Sequence, residues 1–164
     1  MCLPQLARAY IYLYLNDKTE MEQVNKNMEG ATLGLRNHNP LNIRHNAANR
    51  WVGTDKDVPQ RGGFVKFIAP EYGLRAAVII MKRYIALHHA DTPRKIAVRW
   101  APPSENDTEA YVSFVCRRSG LAPDAVVAAY GERLALLVSA MALIESGYKV
   151  SPAEVQAVRE KYNV

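Results

Sequence analysis

Apolar residues recur at spacings of three and four along most of the chain, and one long polar stretch interrupts them. Leu6, Ala9, Tyr10, Leu13 and Tyr14, after Pro4, predict a helix over residues 4–15. The polar run from Asn16 to Gly30 reads as a connector that continues helical to about Met28. Leu74, Ala77, Val78, Met81, Tyr84 and Ile85 form a stripe that predicts a helix over residues 70–89, with Pro70 and Glu71 in its first turn. Thr92 and Pro93 open a shorter helix that runs through Trp100 and is stopped by Ala101-Pro102-Pro103. Tyr111, Val112 and Val115 give the inward face of a helix from Thr108 to Gly120, capped by Asp107 or Thr108. Residues 123–130 are expected to form a short helix, and Gly131 separates it from a long one reaching Ser146. Ser151-Pro152-Ala153-Glu154 starts the last helix with a cap, a proline and a first-turn acid.

The polar interruption is Gly34–Gly53, GLRNHNPLNIRHNAANRWVG, rich in Asn and Gly. Those residues tolerate positive φ and cap neighbouring backbone groups, so the stretch is expected to be a structured loop and, being so polar, a candidate site or a surface turn. Trp51-Val52-Gly53-Thr54 and Gly63-Phe64-Val65-Lys66-Phe67 flank a polar turn and predict a small hairpin. The expected fold is therefore mainly α, an α+β helical domain with one small β-hairpin. It reads as a single domain over 1–164: an N-terminal helical segment (1–30), a motif-bearing core (31–148) and a C-terminal helix (149–164).

Composition narrows the partners. At 164 residues the chain can bury about two-thirds of its unfolded surface around one core. The net charge of +5 favours approach to a polyanion without choosing one. No run of Lys and Arg exceeds two and no aromatic residues alternate with basic ones, which argues against nucleic acid. Cys2 and Cys116 lie too far apart in sequence, with no second pair, to build a disulfide framework or a zinc knuckle, and Cys116 reads as a small core residue. His38 and His45 lack a further ligand set, so neither a metal nor another cofactor is expected. The first fifteen residues lack a basic start and a cleavage site, no signal peptide is evident, and no segment is long enough to span a bilayer. If the protein acts outside the cytoplasm, something other than a signal peptide must carry it there.

One carboxylate stands out. Counting from Leu134 through Val138 and Met141 arrives at Glu145, which continues an apolar stripe. Burial and the C-terminal end of a helix both disfavour its charge, so its pKa should rise and the group can serve as a proton donor. The plainer alternative is a glutamate that projects from the helix end or pairs with an Arg.

Glu145-Ser146 at the end of an apolar helix resembles the catalytic Glu-Ser of lytic transglycosylases and the related glucosaminidases of the lysozyme-like superfamily. Asn39-Pro40-Leu41-Asn42-Ile43-Arg44, Trp51-Val52-Gly53 and Phe64-Val65-Lys66-Phe67 resemble further motifs of those enzymes. In them the Glu-Ser helix precedes the Asn-rich turn, whereas here it follows by about a hundred residues, an order that a circular permutation would reconcile. A closer likeness is to phage and prophage proteins, described as virion structural proteins, with the signature Gly-Ile-Arg-Asn-Asn-Asn-Pro-Gly-Asn-Ile-Arg. Gly34–Arg44 matches it except at Leu35, His38 and Leu41, and Gly73-Leu74-Arg75-Ala76, Trp100–Thr108 and Tyr111 resemble later motifs. A positive φ inherited at Leu41 would cost about 1 kcal/mol or more.

The resemblance implies cleavage of peptidoglycan glycan strands by Glu145 as single general acid and base, aided by the substrate's own acetamido group. Glu105 and Asp107, then Glu29, are the carboxylates to test if a second is used, each otherwise a turn or capping residue. Tyr111 would orient the acid or the sugar, or else belong to the core. Asn39, Asn42, Arg44 and Ser146 would belong to the binding cleft, and Trp51 would stack a sugar or pack the hairpin. Phage or prophage assembly components are the other expected partners. The rival reading is a phage or prophage structural or wall-binding protein that keeps a lysozyme-like fold without the chemistry, and a third is a regulator that binds glycan without cutting it.

Overall fold

The structure, a computed structural model, describes residues 31–55 and 63–164. The helix expected over residues 4–15, the connector after it, Cys2, Glu29 and the turn between Asp55 and Gly63 lie outside the described residues. Among the described residues six helices form: α1 (Leu33–Arg36), α2 (Pro70–His88), α3 (Pro93–Trp100), α4 (Thr108–Ser119), α5 (Glu132–Ser146) and α6 (Pro152–Tyr162). The mainly α class read from the periodicity is the class observed.

Helix α5 is the hub, packing on α4, α6, α2 and α1. Its stripe of Leu134, Leu137, Val138 and Met141 is fully buried. Each such side chain contributes about 1.5–3 kcal/mol relative to exposure. Facing it are Met81 and Val78 of α2, Tyr111, Val112 and Val115 of α4, and Val155 of α6, in one continuous core. The caps follow the sequence: Thr92 accepts from Lys95 N–H, Asp107 from Ala110 N–H, and Ser151 with Glu154 forms a reciprocal capping box. Helix α5 has no side-chain N-cap. Its first turn is held instead by the buried Arg159 of α6, whose guanidinium donates to the carbonyls of Gly131 (3.0 Å) and Ala129 (3.5 Å). No helix of the described residues is long and apolar enough to cross a membrane.

Three expectations are corrected. Residues 123–130 are not helical. Their backbone groups are used elsewhere: Val127 N–H donates to Asp91 O (2.7 Å), Pro123 O accepts from Arg94 N–H (3.0 Å), and Val126 O accepts from the Arg133 guanidinium (2.9 Å). The start of the Asn-rich stretch is a single helical turn, α1, because Thr32 supplies a side-chain cap to Leu35 N–H. The hairpin is reduced to two isolated antiparallel bridges, Arg44 with Phe64 and Thr54 with Phe67. Segment 63–68 lies between both flanks of the loop, with Val65 N–H on Ile43 O (2.9 Å) and Ile68 N–H on Gly53 O (2.8 Å). Left-handed residues at His38, Asn42 and Gly53 break the ladder before strands develop. Val65 and Phe67 still point inward, 1% and 0% exposed, while Ile68 is 57% exposed.

Two glycines let the loop seat against the helices. A Cβ on Gly34 would lie 2.5 Å from Ser146 Cβ and 2.7 Å from Asn42 Oδ1, and one on Gly73 would overlap the carbonyl oxygen of His38. Close backbone approach therefore requires Gly at both positions.

Candidate active site

The Asn-rich loop closes the C-terminal end of α5. Left-handed Gly147 turns the chain back, so its N–H and that of Tyr148 reach the carbonyls of Leu143 (2.9 Å) and Ala142 (3.2 Å). The last carbonyls of a helix have no partner within it. Here loop side chains satisfy them: Asn42 Nδ2 donates to Glu145 O (2.6 Å), and Thr32 Oγ1 to Ser146 O (2.6 Å). Ser146 Oγ returns a bond to Pro40 O (2.7 Å). The backbone of Glu145 is fixed from both sides.

The side chain of Glu145 lies in the floor of a cleft of about 780 Å³. One wall is Leu41–Asn46 with Asn49 and Phe64, the other Ser104–Asn106, and Ile80, Tyr84, Trp100 and Ala101 complete it. Two neutral donors converge on one carboxyl oxygen, Trp100 Nε1–H (2.7 Å) and Tyr111 O–H (3.0 Å), both on Oε1. Trp100 ends α3 and Tyr111 is a fully buried residue of α4. The turn between these helices is pinned by Thr108 Oγ1 donating to Ala101 O (2.6 Å), which sets the spacing of the two donors. Burial pushes the Glu145 carboxyl up from 4.5 to about 7, and the bonds from Trp100 and Tyr111 pull in the opposite direction without cancelling it. Among the described residues no cation pairs with Glu145, so near neutral pH the group is divided between acid and carboxylate.

Beside the acid, Tyr84 and Trp100 lie 6.4 Å apart between ring centres, and the Arg99 guanidinium sits 5.1 Å from the Tyr84 ring. Burial raises the Tyr84 phenol above its usual range and Arg99 acts against it. These rings give the cleft an apolar face opposite its amide-rich wall.

No family model matches the chain. Protein P5 of Pseudoalteromonas phage PM2 is 34% identical over 119 residues, an overlap covering 71% of this chain and 72% of that protein. The chain belongs to the Protein P5 family. That relative is a phage protein.

The structure of this P5 relative sorts the residues singled out in its sequence. Glu145, Tyr111, Asn42, Arg44 and Glu105 come together: Asn42, Arg44, Glu105 and Glu145 line the cleft, and the buried Tyr111 donates its hydroxyl to Glu145 from behind the lining. Four others do not line it. Asn39 is fully buried, its amide donating to Ile43 O (3.0 Å) and Val65 O (2.8 Å) while its oxygen accepts from Ile43 N–H (2.8 Å), so it braces the loop from within. Ser146 is buried against Pro40. Trp51 packs, partly buried, against the core. Asp107 is the cap of α4. Glu105 sits on the exposed rim, with its carboxylate 3.6 Å from the Arg44 guanidinium.

The strain expected at Leu41 is absent, since the left-handed residue is Asn42 (φ 50°), one position on, where an Asn tolerates it. Cys116 is a free, partly buried thiol against the core, its pKa raised by burial. The functional residue that sequence reasoning missed is Trp100. Its signal was chemical: a largely buried indole N–H needs an acceptor, and a buried carboxyl needs a donor.

Proposed function

We propose that this P5-family protein has a lysozyme-like domain that cleaves the glycan strands of peptidoglycan, with Glu145 as general acid. The observation that supports this most is the carboxyl itself: a single uncompensated acid at a cleft floor, held protonated to about pH 7 and oriented by two donors on Oε1. Oε2 then presents the proton to the glycosidic oxygen. Donation leaves a carboxylate that Trp100 and Tyr111 stabilise, and the same carboxylate recovers a proton from the attacking hydroxyl or water. No second carboxylate touches Glu145 among the described residues, which fits a route in which the sugar's acetamido group supplies the internal nucleophile. A circularly permuted order accounts for the loop preceding the acid by about a hundred residues.

Kinship with a phage protein supports a second reading, a phage or prophage structural or wall-binding component that uses the cleft without chemistry. Purified chain and Glu145→Gln are incubated with peptidoglycan sacculi, and soluble products are weighed by mass spectrometry. Fragments from the native chain only, with anhydro ends for a transglycosylase or reducing ends for a hydrolase, are the expected result. Co-sedimentation of both proteins with sacculi and no released fragment favours the second reading.

A further inference from the structure

Among the described residues the cleft lining carries one guanidinium, Arg44, and it is engaged by Glu105 on the opposite wall. The backbone on each side is fixed. Arg44 is bridged to Phe64, and its neighbours are bonded through Val65 N–H to Ile43 O and His45 N–H to Gly63 O (2.7 Å). Glu105 belongs to a turn in which its own N–H and that of Asn106 both donate to Pro102 O (3.0 Å each). Among the described residues, what joins these two walls is therefore the side-chain pair.

That pair is weak. A single nitrogen–oxygen approach of 3.6 Å lies beyond hydrogen-bond range, and the side chains are 69% and 61% exposed. An Arg fork satisfies a carboxylate best through two parallel N–H···O bonds. Glu105 leaves that geometry unused, and when displaced it returns to water it already largely faces. The other carboxyl of the cleft, Glu145, is held by Trp100 and Tyr111 and does not compete for Arg44.

We propose that Arg44 is the anion anchor of the cleft and Glu105 its internal stand-in, so that a carboxylate on the ligand displaces Glu105 and selects carboxylate-bearing glycan over neutral glycan. This rests on the glycan reading of the cleft. In peptidoglycan the carboxylate belongs to the lactyl and peptide substituents, which chitin-type strands lack. A neutral strand leaves the pair linking the two walls, whereas an acidic strand opens it by exchange.

The test is calorimetric titration of the full chain with two probes of equal length, an N-acetylglucosamine oligomer and a glycan containing N-acetylmuramic acid, at low and high salt. The expected preference for the acidic probe is roughly tenfold at low salt and shrinks as salt rises. Glu105→Gln should tighten the acidic probe several-fold, while Arg44→Gln should remove the preference. Both side chains are exposed, and matched melting curves check that the variants remain folded. Equal binding of both probes, unaltered by Arg44→Gln, overturns this inference alone. Binding of neither probe overturns it together with the glycan reading, and loss of acidic binding in Glu105→Gln overturns the stand-in role.

Discussion

Asn42 Nδ2 donates to the backbone carbonyl of Glu145 at 2.6 Å, joining the Asn-rich loop to the last turn of α5 across 103 residues of chain. Asn42 meets two demands at once: a left-handed backbone and a side-chain donor aimed at a helix-end carbonyl. Asn42→Ala loses both and should destabilise the fold by about 1–3 kcal/mol, read from denaturant unfolding. Asn42→Gly keeps the backbone conformation and should recover part of that loss. Equal stability of Asn42→Ala and the native chain would remove the loop from the account of how Glu145 is held.

Gly34 makes the same contact possible sterically. Gly34→Ala brings a methyl to 2.5 Å from Ser146 Cβ, so the loop must move away from α5. The expected cost is about 1–3 kcal/mol, seen as a lower melting temperature, with weakened amide protection at Ser146 and Gly147 in hydrogen exchange. An alanine that leaves both unchanged contradicts the close packing.

Much of this was legible in the sequence, because helix α5 advertises itself by period. Leu134, Leu137, Val138 and Met141 point to one face, and Glu145 falls where that face ends, so both the core and the acid follow from counting. The loop was harder. Asn39 and Asn42 are the same residue type three positions apart, yet one is fully buried as a brace and the other lines the cleft. Composition cannot separate them, since the difference lies in which backbone groups each amide meets. Residues 123–130 misled for a related reason. Their local preference for helix was outweighed by bonds to Asp91, Arg94 and Arg133, which no local window contains. Trp100 has a helical position of no special periodicity, and its role appears only when α3 and α5 are brought together.

Glu145 should make stability depend on pH. Its folded pKa, about 7, is above the ordinary 4.5. Between these values the folded chain keeps a proton that the unfolded chain has released, so stability falls as pH rises through that window and is lowest, for this group, above about pH 7. The largest cost is about 3 kcal/mol, reduced by water reaching the cleft. Glu145→Gln retains an oxygen acceptor and cannot ionise. Unfolding curves of the variant should therefore be flatter than the native ones from pH 4.5 to 8, and parallel curves would refute the burial of charge.

The working role of the acid is tested most directly by the pH dependence of fragment release from peptidoglycan sacculi, measured for the native chain and Trp100→Phe. A general acid must be protonated, so release by the native chain should fall along an alkaline limb near pH 7. Trp100→Phe removes a donor that favours the carboxylate, and its limb should shift to higher pH. A profile without that limb, or a limb that Trp100→Phe leaves in place, would contradict the assignment of Glu145 as the proton donor.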